Sequence, residues 1–250
     1  MKDKDLIIFD IDGTVTPSKS AMTPGMAKAL TELLKEKKVA LIGGGFYKQL
    51  EKQLLKKLKA PKKSLENLFL FPANSTIFYR FKKSKWQKIY SRDLKKEEKE
   101  KVSQAFRAVF EKHGYKKPAK TYGKIIEDRG SQITFSALGQ EAPISSKKYW
   151  NINKDVRPEL VKSLKKTLPD FEISRGGLTS IDVTKKGIDK AYGIRQIRKT
   201  LNIPIKKMVF IGDALYPGGN DYAAKKTGIR CIKVSGPEET LKIIKKLIKR

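Results

Sequence analysis

The chain has 250 residues, and its 39% hydrophobic and 33% charged side chains predict buried cores rather than a disordered chain. No run approaches the ~20 apolar residues that cross a bilayer. The single Cys231 and single His113 exclude an internal disulfide framework and any site that needs several histidines. The net charge of +30 suggests a polyanionic partner, but lysines recur on nearly every predicted helix, so we interpret the charge as solvated helix faces rather than a nucleic-acid site.

Apolar strands and amphipathic helices alternate in the first third of the chain. Short apolar runs at residues 6–9, 39–42 and 68–71 predict buried parallel strands. Thr23 and Pro24 predict the N-cap and first residue of a helix between the first two strands. Strands and helices at this spacing indicate βαβ units around a parallel sheet.

The alternation stops near residue 78 and resumes at Lys185. Between these positions, short alternating runs, among them an exposed strand at residues 86–90, predict a segment with its own antiparallel sheet. We therefore predict an α/β fold: a Rossmann-like parallel-sheet core of residues 1–78 and 185–250, interrupted by an inserted α+β cap domain of residues 79–184.

Two aspartates follow the first predicted strand, in the run DIDGTVT at residues 10–16. Unpaired carboxylates at the end of a buried strand are costly, and a cation removes that cost. At the C-terminal end of a parallel strand, Asp10 and Asp12 can hold a hard metal ion and face a phosphate. Gly13 lets the chain turn sharply away from this edge.

This motif resembles the first signature of the haloacid dehalogenase superfamily of phosphatases and phosphomutases. Nearly the whole chain resembles its branch of eukaryotic-type phosphomannomutases, which carry a type IIB cap. The stretches that carry the resemblance are GGLTSIDV at residues 176–183, IDK at 188–190, FIGDALYPGGND at 210–221 and PEET at 237–240.

The resemblance implies a two-step transfer of a phosphoryl group. Asp10 would be the nucleophile that forms an aspartyl phosphate, which divides one hard transfer into two easier ones. Asp12 would protonate the leaving oxygen and then, as a base, activate the acceptor. Lys190 would place a fixed positive charge on the phosphoryl oxygens.

The resemblance also implies a Mg²⁺ cofactor. Asp10, the backbone carbonyl of Asp12 and Asp213 would hold the ion, with Asn220 and Asp221 as direct or supporting ligands. An acidic cation-binding loop of the family is shortened at residues 225–228, so we expect no second structural metal.

The second strand departs from the superfamily pattern, which places a Ser or Thr hydroxyl after it to bind phosphate. The run Gly43-Gly44-Gly45 offers no hydroxyl. We expect its backbone N–H groups, with Gly44 at the centre, to cradle the anion instead; a simple tight turn is the compatible alternative. Asn74 matches the asparagine of the family's next motif.

Family members use arginines to hold the phosphate that is remote from the reacting one. The predicted substrate-binding residues here, with Gly44, are Lys19, Arg129, Gln140, Lys147, Ser180 and Asp182. Only Arg129 keeps a family arginine, and an ion pair with Glu127 or Asp128 is its structural alternative. Gln140 and Lys147 stand where arginines are expected, which weakens planar, bidentate recognition of a second phosphate.

We therefore expect a Mg²⁺-dependent enzyme acting on a phosphorylated sugar, with sugar phosphatase as the leading interpretation. The alternative is a phosphomannomutase that interconverts mannose 6-phosphate and mannose 1-phosphate, and the third is a catalytically retired polyanion-binding protein. We expect no membrane or nucleic-acid partner, and a homodimer through the cap, as in the related mutases. The lone cysteine and a charged start without a signal sequence predict a cytoplasmic location.

Overall fold

The computed structural model describes residues 3–17 and 20–248, which form two compact units. The first unit comprises Met1–Ser91 and Asp189–Arg250, and the second comprises Arg92–Ile188. The strands are β1 (Leu6–Asp10), β2 (Lys38–Ile42), β3 (Leu68–Phe71), β4 (Ile77–Lys82), β5 (Lys85–Ser91), β6 (Ile126–Asp128), β7 (Ile133–Ser136), β8 (Phe171–Gly176), β9 (Ser180–Lys185), β10 (Met208–Gly212) and β11 (Arg230–Lys233). The α segments are α1 (Pro24–Glu36), α2 (Tyr47–Leu50), α3 (Lys62–Leu65), the turn α4 (Pro72–Ser75), α5 (Lys96–Lys112), α6 (Ile144–Asn153), α7 (Arg157–Thr167), α8 (Lys190–Leu201) and α9 (Pro237–Ile248).

The first unit contains a seven-stranded sheet in the order β11-β10-β1-β2-β3-β4-β5. The five strands from β11 to β3 are parallel, and β4 and β5 extend the sheet antiparallel. The central strands are buried on both faces, which is why they read as continuous apolar runs. One core contains Phe9 with Leu30 of α1 and Ile244 of α9, and a second contains Ile8 with Ile194 of α8. This arrangement confirms the predicted α/β class with a parallel-dominated sheet.

Helix α1 begins where the sequence predicts. The Thr23 side chain accepts a hydrogen bond from the Met26 backbone N–H at 3.2 Å, and Pro24 occupies the first helical position, where its missing N–H costs nothing. The cap fixes where the helix starts, and its buried apolar face, which includes Leu30, fixes how the helix lies on the sheet.

The second unit is an α+β structure. Its antiparallel sheet has the order β6-β7-β9-β8. Phe106 of α5 and Leu160 of α7 are buried against the face of this sheet that carries Phe135 and Val183.

The boundaries between the units differ from the predicted ones. The strand predicted at residues 86–90 lies in β5, which pairs with β4, and β4 pairs with β3 through Phe69 and Arg80. Residues 79–91 therefore belong to the first unit, because backbone hydrogen bonding to the sheet edge decides which unit a strand joins. The second boundary falls after Ile188 instead of residue 184.

Within the parts of the chain that the structure describes, no helix is both long and apolar enough to cross a membrane.

Candidate active site

The carboxyl ends of the parallel strands bring the predicted catalytic residues of the first unit to one edge. Asp10 is the last residue of β1, pairs in register with Ile42 of β2, and is 3% exposed. Asp213 directly follows β10, the other neighbour of β1. Parallel strands align their C-terminal ends, so residues far apart in sequence become neighbours here.

A tight turn after β1 fixes the Asp12 segment. The backbone N–H groups of Val15 and Thr16 both donate to the Ile11 carbonyl at 2.9 Å. Gly13 adopts φ +92°, and a Cβ at this position would lie 2.5 Å from Asp213 Oδ2. A side chain at position 13 would therefore be strained and would also strike the Asp213 carboxylate.

The Lys190 ammonium lies among the carboxylates of this edge. Lys190 is the first residue of α8 and is 2% exposed. Its Nζ contacts Asp10 Oδ1, lies 3.2 Å from Asp221 Oδ1, and donates to the Ile42 carbonyl at 3.2 Å. The Asp189 side chain caps α8 by accepting from the Tyr192 N–H at 2.8 Å, and so fixes the start of the helix that carries the lysine.

Three carboxylates converge on the same point as this ammonium. Carboxylate oxygens of Asp10, Asp213 and Asp221 all lie within 4.8 Å of one another. Burial, and then the charge of Asp221, raises the pKa of Asp10 well above its ordinary value and raises that of Asp213 as well. Burial opposes the charge of Lys190, but the Asp10 and Asp221 carboxylates outweigh it and raise the pKa of the lysine.

This donor set fits Mg²⁺. Its ligand atoms are all hard oxygens, and one ammonium faces three carboxylates, so a further cation would relieve their repulsion. Asp221 Oδ2 accepts the Ala214 backbone N–H at 3.2 Å, and the Thr14 hydroxyl donates to Asp213 Oδ1 at 3.2 Å. Asn220, predicted as a further ligand, is exposed in the loop after β10.

Asp12 has a partner that the sequence did not predict. Gln53 Nε2 donates to Asp12 Oδ1 at 3.3 Å, and Gln53 is 4% exposed. It lies in a π-helical turn, Glu51–Leu55, that continues α2. One sequence signal could have indicated this contact. Gln53 lies beside Leu50 and Leu54 of an apolar helix face, and a buried amide there needs a polar partner.

The glycine run is joined to a left-handed turn after β3. Ala73 and Asn74 have φ values of 48° and 53° and donate their backbone N–H groups to the carbonyls of Gly45 and Gly43 at 2.8 and 2.9 Å. The run is thus held by its carbonyl groups, and the phosphate cradle at Gly44 stays a prediction.

In the second unit, the predicted cations already have partners. Arg129 donates through two nitrogens to Glu127 Oε2 at 2.9 and 3.2 Å, which is the structural alternative foreseen for it. Lys147 is buried and donates to the Gln140 backbone carbonyl at 3.0 Å. The Gln140 side-chain amide has no hydrogen-bond partner among the described residues. Lys19 lies outside them.

Ser180 and Asp182 are two residues apart on β9 and therefore lie on the same face of the sheet. Asp182 Oδ1 accepts from the Thr134 hydroxyl at 2.8 Å, and the Ser180 hydroxyl donates to Ser136 Oγ at 3.4 Å. The structure therefore brings Asp10, Lys190, Asp213 and Asp221 together in the first unit, whereas most of the substrate-binding residues predicted in the second unit have their own local partners.

Comparison with known proteins gives one family. A family model described as eukaryotic phosphomannomutase matches residues 26–250. The phosphomannomutase of Saccharomyces cerevisiae is 28% identical over 253 residues, which cover 98% of this chain and 95% of the relative. The phosphomannomutase of Spinacia oleracea is 30% identical over 251 residues, with 95% and 93% covered.

Solved structures share the fold at lower identity. The IMP-bound, N-terminally truncated IMP-nucleotidase of Plasmodium falciparum has a TM-score of 0.74 and 20% identity, over 99% of this chain and 68% of that chain. Trehalose-6-phosphate phosphatase of Aspergillus fumigatus has a TM-score of 0.56 and 16% identity, over 99% and 94%. These structures share the fold of this chain, and the family model over residues 26–250 confirms the family resemblance predicted from the sequence motifs.

Proposed function

The chain belongs to the eukaryotic phosphomannomutase family, and from this premise we propose that it transfers a phosphoryl group from a phosphorylated sugar through an aspartyl phosphate on Asp10. The observation that carries the proposal is the contact of Lys190 with Asp10 inside the three-carboxylate group. A buried nucleophile beside a fixed ammonium is arranged to accept a dianionic group at the strand edge.

The two half-reactions use the two aspartates of the first motif. An Asp10 carboxylate oxygen attacks phosphorus, the bond from phosphorus to the sugar oxygen breaks, and Asp12 gives its proton to that oxygen. Asp12, now a carboxylate, then takes a proton from the acceptor, whose oxygen attacks phosphorus and frees Asp10. One carboxyl group serves both steps because the first step leaves it in the form that the second requires.

The residues that would hold Mg²⁺ are Asp10, Asp213 and Asp221, with the Asp12 backbone carbonyl and Asn220 as further candidates. When bound, the ion would offset the repulsion between the Asp10 carboxylate and the substrate phosphate. Lys190 contributes the same kind of stabilisation from the protein itself, because its ammonium is already in contact with the nucleophile.

We propose water as the acceptor, which makes the protein a sugar phosphatase. A mutase must hold the remote phosphate and exclude water while the intermediate reorients. In the second unit, Arg129 is engaged by Glu127, Lys147 donates to a backbone carbonyl, and position 140 carries a neutral amide. These residues supply less bidentate phosphate recognition than three arginines would.

The second candidate is a phosphomannomutase, with a sugar hydroxyl as the acceptor. The observation that favours it is the extent of the family match, because the named relatives are covered almost completely by both units of this chain. The intact group of Asp10, Lys190 and Asp213 argues against the third interpretation, a catalytically retired polyanion-binding protein. A homodimer through the second unit and a cytoplasmic location stay predictions.

One incubation separates the two candidates. Enzyme and Mg²⁺ are mixed with mannose 1-phosphate and a catalytic amount of hexose 1,6-bisphosphate, and the products are separated. Free phosphate supports hydrolysis, whereas mannose 6-phosphate supports isomerisation and would overturn our leading choice. Asp10→Asn is the control, and we expect it to abolish both products and the acid-stable phosphoenzyme; full activity in this variant would contradict the assignment of the nucleophile.

A further inference from the structure

The Gln53 side chain is buried and polar, and the chemistry proposed above leaves it without a role. Its amide nitrogen donates to Asp12 Oδ1 at 3.3 Å, whereas its amide oxygen has no hydrogen-bond partner among the described residues. A carboxyl oxygen that carries no proton only accepts hydrogen bonds, so the amide turns its N–H side toward Asp12 Oδ1 and leaves its own oxygen unpaired.

This arrangement is poor for stability. A buried acceptor without a donor carries an uncompensated desolvation cost, and an apolar side chain of similar size would avoid it. Leu50 and Leu54 beside Gln53 are buried in the core, so an apolar residue would suit the local packing. A role in folding therefore does not explain why the amide is there.

The backbone around Gln53 is fixed from two sides. Its carbonyl accepts the Met22 backbone N–H at 2.9 Å, and the π-helical turn holds the residue between α2 and the following loop. π-Helical turns within helices are frequent at functional sites. The amide thus approaches Asp12 from a rigid support.

We infer that Gln53 is a positioning residue for Asp12: its amide N–H holds one carboxylate oxygen, so that the other faces the leaving oxygen of the substrate. The inference rests on the proposed role of Asp12 as general acid and adds a residue that fixes its orientation. A small misorientation of a proton donor slows the step it serves, on the order of 10- to 100-fold.

The test compares two substrates in single turnover with Gln53→Met, which matches glutamine in length. A sugar phosphate needs a proton on its leaving oxygen, whereas p-nitrophenyl phosphate releases a stable phenolate that needs little protonation. We expect Gln53→Met to slow formation of the phosphoenzyme from the sugar phosphate on the order of 10- to 100-fold. The burst of nitrophenolate should change less than about threefold, KM should stay nearly constant, and the melting temperature should be unchanged or raised.

Two further variants make the result decisive. Gln53→Leu has no hydrogen-bond donor in any ionisation state and suits the apolar surroundings of Leu50 and Leu54, so it should show the same selective loss even if Gln53→Met folds poorly. Gln104→Met, at an exposed glutamine of α5, is the matched control and should behave as the wild type. Equal slowing with both substrates, together with a lowered melting temperature, would overturn the inference and indicate a structural role.

Asp12→Asn separates this inference from the proposed function. If Asp12→Asn leaves the sugar phosphate reaction unchanged, the proposed role of Asp12 is wrong and the inference falls with it. If Asp12→Asn slows that reaction selectively and neither Gln53 variant does, only the positioning role is wrong.

Discussion

Replacing Lys190 by methionine tests the charge balance on which the proposed site depends. Methionine keeps the apolar stem of the buried lysine and removes its ammonium. The ammonium contacts Asp10, lies 3.2 Å from Asp221 and donates to the Ile42 carbonyl. The variant would leave three converging carboxylates without their counter-charge.

The expected loss follows from the burial of this group. Removing one partner of a buried ion pair costs about 3–5 kcal/mol, because the remaining charge stays desolvated. Burial and the Asp221 charge already raise the pKa of Asp10, so uptake of a proton should limit the loss near neutral pH to about 3 kcal/mol. For a chain of this size, that loss lowers the melting temperature by roughly 6–12 °C.

The assay is thermal unfolding of metal-free protein at about pH 6 and about pH 8, together with turnover of a sugar phosphate. The loss of stability should be larger at the higher pH, because more carboxylates are ionised there. Asp221→Asn in the Lys190→Met background should recover part of the stability, since it removes one of the opposing charges. Lys207→Met is the control: Lys207 is half-buried, lies 3.9 Å from Asp5 and donates to the Asp3 carbonyl at 3.3 Å, and its ion pair with Asp5 should contribute less than about 0.5 kcal/mol.

A wild-type melting temperature at both pH values would refute this reasoning. It would mean that Lys190 does not neutralise the carboxylates, and that its contact with Asp10 contributes nothing to the folded state. Loss of turnover without loss of stability would keep the catalytic role and reject only the energetic argument.

Three further perturbations address the turn, the metal and the substrate. Gly13→Ala should weaken Mg²⁺ binding, measured by calorimetry, because the new Cβ would clash with the Asp213 carboxylate. Gly114→Ala is the control, since Gly114 also has a positive φ (+58°) but has open space around it, and it should leave Mg²⁺ binding unchanged. Equal Mg²⁺ affinity in the two variants would contradict the predicted clash. Burial, and next the charge of Asp221, raises the pKa of Asp10 and of Asp213, so the metal-free protein should lose stability as the pH rises above the ordinary carboxyl range. Stabilisation of the protein by Mg²⁺ should therefore grow from about pH 5 to about pH 8. A stabilisation that is the same at both pH values would contradict this role of the carboxylates. Gln140→Arg should tighten binding of a hexose bisphosphate about 10-fold, and unchanged affinity would remove a main reason for preferring hydrolysis.

Local sequence signals were enough to predict the buried parallel strands and the start of α1, but not the unit to which β4 and β5 belong. A buried parallel strand is recognisable from its continuous apolar run, and Thr23-Pro24 predicts a helix start because a cap is a local hydrogen bond. The same local signals could not assign β4 and β5 to a unit, since an alternating strand looks alike in either sheet and its partner lies elsewhere in the chain.

Periodicity, helix caps and the DIDGTVT motif are short-range features, so they are enough to predict the class of the fold and the groups that carry the proposed chemistry. Which of these groups meet depends on how the chain packs. Asp10 and Lys190 are 180 residues apart, and they touch because β1 and the start of α8 lie at the same sheet edge. Gln53 and Asp12 are likewise brought together by packing. A buried amide needs a polar partner, but the local sequence does not show which residue that partner is.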